Sequence, residues 1–118
     1  MRFCIQNIIN MEIKKIADLC NVEYRLVYQD IPSCIVFDKE NACVMIEKLR
    51  FECIPILGCD VYRMKNDNVE VLLPNLYIDK NNNESYPDFL RRSCNETMDF
   101  IINYPKYKND IFFEFVTM

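Results

Sequence analysis

The sequence predicts an α+β fold in which helices cover one antiparallel sheet. Three observations carry that reading. Apolar residues recur at helical spacing in three separate stretches, period-two alternation appears between them, and an asparagine-rich turn joins two alternating runs into adjacent antiparallel strands. The resulting order is roughly α-β-α-β-β-α-β over a single domain, residues 1–118, which no flexible linker, repeat or low-complexity run divides.

Residues 2–20 place Ile5, Ile8, Ile9, Ile13, Ile16 and Cys20 at helical intervals, with Lys14, Lys15 and Asp18 off that face, and predict the first helix. Val22, Tyr24, Leu26 and Tyr28 then alternate with Glu23, Arg25, Val27 and Gln29, the pattern of a half-buried strand that Asp30-Ile31-Pro32-Ser33 ends. A short extended stretch, 34–37, leads to Asp38. Its carboxylate suits a helix N-cap, because it can accept a hydrogen bond from a first-turn amide that has no helical partner. Ala42, Val44 or Met45, Ile46 and Leu49 supply the buried face of the second helix, and Pro55 keeps it from running much past Phe51.

The single glycine lies in the run Ile54-Pro55-Ile56-Leu57-Gly58-Cys59-Asp60-Val61-Tyr62. Glycine alone takes left-handed backbone at no steric cost, so Gly58 marks where the backbone must bend, bulge or approach something closely, and it is expected to be a structural turn, in a conformation that a side chain would strain. Residues 61–65 and 69–73 flank Asn66-Asp67-Asn68 as a β-hairpin, and Pro74, which has no amide hydrogen, favours an edge or a strand end. Residues 79–84 form a polar loop. Ser85 with Asp88 resembles a capping box with Pro87 in the first turn. Phe89 or Leu90, Cys94, Thr97 or Met98, Ile101 and Tyr104 then make one helical stripe that Pro105 closes. Residues 111–116, apolar on both faces apart from Glu114, predict a strand inside the sheet.

Fourteen basic against eighteen acidic residues give a net charge of −4, which would repel a phosphate backbone and weighs against nucleic acid as a partner. No apolar run approaches the roughly 20 residues that span a bilayer, and the N-terminus shows no continuous apolar segment of a leader. The expectation is a cytoplasmic protein with no membrane partner. The seven cysteines are odd in number, irregularly spaced and without a CxxC, which fits reduced thiols. With no histidine and no pair of thiols at ligand spacing, neither a metal nor a cofactor is indicated.

The absence of histidine also removes the side chain best suited to proton transfer near neutrality. Cys59 is a poor nucleophile on this pattern, since the adjacent Asp60 would raise its thiol pKa. No catalytic residue is assigned, although Asp60, Glu70 and Asp79 could converge in a small hydrolase or metal-dependent enzyme working with carboxylates and cysteine. Charge points elsewhere. Residues 60–88 hold six acids against three bases, a net of −3, which would attract a basic protein surface or simply keep an edge strand soluble. Tyrosine is a favoured interface anchor, so Asp60, Tyr62, Glu70, Tyr77 and Asp79 are the candidate partner-binding residues.

Several blocks in order carry a resemblance: Phe37-Asp38-Lys39-Glu40-Asn41-Ala42, a helix ending near Leu49, Gly58-Cys59-Asp60-Val61-Tyr62 after an Ile-Leu pair, Asn75-Leu76-Tyr77-Ile78-Asp79, and a capped helix over 85–104. Over about residues 35–118 the chain resembles the immunity protein 40 family of bacterial polymorphic toxin systems. That family typically shows Gly-Gly-Asp-Val-Tyr and Asn-Trp-Tyr at the two central blocks. Here Cys59 stands for the second glycine and Leu76 for the tryptophan. The resemblance implies a non-catalytic cytoplasmic protein that binds a cognate toxin domain, with Asp60, Tyr62, Tyr77 and Asp79 at positions matching the family pattern. Another reading, a housekeeping module binding some other protein through its acidic face, stays open at this point.

Overall fold

A computed structural model describes residues 13–105 and 110–117, so the expected helical turns of residues 2–12 lie outside the described residues. The elements are α1 (Ile13–Cys20), β1 (Arg25–Leu26), β2 (Ile35–Val36), α2 (Lys39–Phe51), β3 (Ile56–Lys65), β4 (Asn68–Tyr77), α3 (Tyr86–Ile102) and β5 (Ile111–Thr117). The fold is α+β and every strand pairing is antiparallel: β4-β3-β5 in one sheet, β1-β2 in a second small ribbon.

Local chemistry sets most element ends. Asp38 caps α2 by accepting from the Asn41 amide at 2.8 Å, and Ser85 caps α3 by accepting from the Asp88 amide at 3.2 Å. The C-termini of α1 and α2 close in the same way. Asn21 and Cys53 adopt left-handed backbone, φ 57° and 60°, and the next amide reaches back five residues, Val22 to the Ala17 carbonyl and Ile54 to the Leu49 carbonyl, both at 2.9 Å. Spending Val22 on that closure shortens the strand expected from 22 to 29. Regular pairing is confined to Arg25–Leu26, opposite Ile35–Val36.

The 66–68 turn becomes a two-residue loop, Asn66-Asp67, with Asn66 at φ 57° and Lys65 paired to Asn68. As Pro74 implied, β4 is an edge strand of the sheet. β5 has β3 on one side and, on the other, a single bridge in which the Phe37 and Phe113 amides and carbonyls exchange hydrogen bonds of 2.9 and 2.8 Å. That bridge ties the β1-β2 ribbon to the main sheet.

Gly58 is not a turn, contrary to expectation. It lies within β3, its φ is not positive, and among the described residues Asn21, Cys53 and Asn66 hold the left-handed positions. The need for glycine is one of approach: a Cβ there would sit 2.8 Å from the Leu76 carbonyl oxygen of β4, closer than real β-carbons come to backbone.

The main core lies between the sheet and the helices. Ile16 and Ala17 of α1, Ala42, Met45, Ile46 and Leu49 of α2, and Cys94 and Ile101 of α3 pack on Cys59 and Val61 of β3 and Phe113 and Phe115 of β5. The two buried hydroxyls of α3 are satisfied there: that of Ser93 accepts from the Ile56 amide at 3.2 Å, and that of Thr97 donates to the Ser93 carbonyl at 2.7 Å. Arg92 fastens the loop between β4 and α3 to the helix. It pairs with Glu84 at 2.7 Å, donates to the Asp79 carbonyl at 2.6 Å, and draws the Glu84 carboxyl down to about 2.

Candidate functional site

Strand alternation sends Cys59 and Val61 toward the helices, and therefore Asp60, Tyr62 and Met64 toward the opposite side of the sheet. That second side is divided. At one end the ribbon curls over it, and Val27 and Val36 bury Met64 and Phe112, with the Arg25 guanidinium 5.0 Å from the Phe112 ring centre. An open groove of about 780 Å³ runs between residues 25–30 of the ribbon side and the hairpin tip, residues 64 and 66–69. At the other end nothing among the described residues covers the sheet, and Tyr77 (79% exposed), Val71 and Val116 stand in solvent beside Leu73 (74% exposed).

Two acids lie where the ribbon-covered part of this side meets the uncovered end. Register places Asp60 of β3 directly opposite Glu114 of β5, which puts their Cβ atoms about 5 Å apart. Glu114 is held by two neutral donors, the Tyr62 hydroxyl at 2.8 Å to Oε1 and the Cys34 thiol at 3.4 Å to Oε2. Burial together with the Glu114 carboxylate lifts the Tyr62 phenol above its ordinary value, and the same causes push the Cys34 thiol to about 11. Asp60 accepts a long bond, 3.4 Å, from the Asn75 side chain. Among the described residues no lysine or arginine pairs with either carboxylate.

A bulge sets this geometry on the β4 side. Cys59 pairs with Leu76 and Val61 with Leu72, so Leu73-Pro74-Asn75 together oppose Asp60, and the Leu73-Pro74 peptide bond is cis. The looped-out segment lets Asn75 turn its side chain onto Asp60, and Pro74 sits where no ladder amide is required.

Of the five residues singled out from sequence, the structure gathers Asp60, Tyr62 and Tyr77 on one face. Glu70 lies on the other, opposite Arg63 at 4.0 Å, and Asp79 sits beyond the end of β4 beside Phe89 of α3. Glu114, Val116, Leu73 and Cys34 were not among those five. The signal for Glu114 was visible, as the lone charge in an otherwise apolar strand, but its partner lay across the sheet. Cys59 is fully buried and its thiol is pushed well above the ordinary value, first by burial and then by Asp60, which removes it as a nucleophile. Among the described residues no helix is long and apolar enough to cross a membrane, and no group of three or more acids and cysteines could hold a metal ion.

A family model described as Immunity protein 40 matches residues 27–117. No curated protein and no solved structure matches the chain.

Proposed function

The chain belongs to the immunity protein 40 family, and from that membership we propose that it binds a cognate toxin domain stoichiometrically and blocks it, protecting the bacterial cell that makes both. The observation that carries this reading is the family match over residues 27–117, which takes in β2, the hairpin, the bulge, α2, α3 and β5. Membership supports an inhibitor rather than a catalyst, and on this reading the protein acts in the cytoplasm of the producing cell.

The carboxylate-and-cysteine hydrolase gains no support: Asp60 and Glu70 lie on opposite sides of the sheet, Asp79 lies beyond the end of β4, and the Cys59 thiol is buried. The test is survival on co-expression with a candidate toxin domain taken from a reading frame adjoining this gene, with the stoichiometry of the purified pair measured by light scattering. Protection and a fixed-ratio complex are expected. A toxin that kills equally with and without the protein would sink the reading.

A further inference from the structure

We propose that the uncovered end of the β3-β4-β5 sheet is the docking surface, and that its occupant is a folded protein surface presenting a lysine or arginine to the Asp60–Glu114 pair, ringed by apolar side chains that pack on Tyr77, Leu73 and Val116. The proposal rests on the immunity reading and names the chemistry of the partner.

Three features meet on this face. The first is asymmetry: among the described residues, helices cover one side of the sheet and the ribbon covers half of the other, which leaves Leu73, Tyr77 and Val116 exposed together at the uncovered end. Grouped exposure of this kind marks interaction surfaces more than it marks chance. The second is the charge arrangement. Like charges directly opposite each other across strands destabilise a sheet, and here two half-buried carboxylates face one another with no ion-paired cation among the described residues. A partner's ammonium or guanidinium placed between them would relieve that repulsion in the complex alone, so the cost carried by the free protein becomes affinity for a basic partner.

The third feature is positioning. Tyr62 and Cys34 donate to separate oxygens of Glu114, and Asn75 donates to Asp60, so both carboxylates are oriented before a partner arrives. Tyr62 and Cys34 are thus positioning residues, while Tyr77 and Leu73 supply contact area. A second copy of the chain is the wrong occupant. A two-fold pairing would set one acid pair against another, in a chain whose net charge is already −4.

The test uses the full-length protein and the neighbouring toxin domain, inactivated by mutation, in binding kinetics at 50 and 300 mM salt. Asp60→Asn, Glu114→Gln and Tyr77→Ala should each weaken binding tenfold or more, and Glu70→Gln, on the opposite face, by less than twofold. Asp60→Asn with Glu114→Gln should lose less than the product of the single losses, because both acids serve one cation. The two charge variants should also flatten the salt dependence. Their urea midpoints should stay level or rise; a purely structural role would lower them.

Three outcomes overturn the proposal: open-face variants that bind within twofold of wild type, a strictly multiplicative double variant, or concentration-dependent self-association that Tyr77→Ala abolishes. Should wild type itself fail to bind or protect, the immunity reading fails instead, and the two failures are told apart by that control. Should Glu114→Gln unfold, Asp60→Asn carries the charge test alone.

Discussion

The two sides of the β3-β4-β5 sheet are built from alternate residues of the same strands, yet they do opposite work. Facing the helices, Cys59, Val61, Phe113 and Phe115 are buried in one continuous core. One residue along in each strand, Asp60 and Glu114 confront each other beside exposed Tyr77 and Val116. The first side buries its strand residues in the core; the second breaks two rules for stability, by exposing large apolar groups and by pairing like charges. Local rules are broken at the cost of stability chiefly where function requires it, and that difference is the ground for proposing the second side as the docking face. Side-chain truncations on the two sides should therefore separate cleanly, stability on one and binding on the other.

The largest effect is expected at Phe37, fully buried, which bridges β5 and packs against Phe115 at 5.7 Å and Tyr24 at 6.3 Å between ring centres. Phe37→Ala should cost about 3–5 kcal/mol in urea unfolding, through lost burial and the cavity left behind. A loss below about 1 kcal/mol would mean that the ribbon is not anchored through this ring. Next comes Gly58→Ala. With the Leu76 carbonyl 2.8 Å from the new β-carbon, β3 and β4 must separate, at about 1–3 kcal/mol. An unchanged urea midpoint would show that the strands yield there without cost.

The covered side can also be made firmer. Cys53 holds a left-handed φ of 60° at the end of α2, where glycine is the favoured residue. Cys53→Gly should raise stability by about 1 kcal/mol and leave toxin binding unchanged, since the site lies off the open face. A lower melting temperature would show that the Cys53 side chain contributes more than its backbone strain costs.

Legibility in the sequence tracked the range of the interaction. The N-caps at Asp38 and Ser85, the breaks at Pro55 and Pro105, and the hairpin tip at Asn66 are governed by residues within a turn of one another, and each was readable. The helical stripes of α2 and α3 were equally plain. What could not be read was register. Tyr62 meets Glu114 across 52 residues and Cys34 meets it across 80, so no local pattern announces either contact. Glu70 and Asp79 look equivalent to Asp60 in charge and neighbourhood, and only the alternation of β3 against β4 puts Glu70 on the other side. Gly58 misled for a related reason. Its rarity marked it correctly as a constrained position, but the constraint comes from a strand 18 residues away and not from its own φ. The left-handed positions fell instead to Asn21, Cys53 and Asn66, two of them the residue type that best tolerates that backbone after glycine.

The smallest effect on folding is expected where the largest effect on binding is. Leu73 and Tyr77 are 74% and 79% exposed, so their truncation removes little that the folded state buries beyond what the unfolded chain does. Leu73→Ser and Tyr77→Ala should each change stability by no more than about 0.5 kcal/mol. In the complex the same two side chains would be desolvated against the partner, and their loss should appear as faster dissociation with little dependence on salt, unlike the loss at Asp60. The measurement is urea unfolding and dissociation rate on the same samples. If Tyr77→Ala destabilised the free protein by more than about 1.5 kcal/mol, its ring would be serving the Gly58 position across the strand pair. The open face would then be partly scaffold, and the separation of stability from binding between the two sides would fail at its most exposed residue.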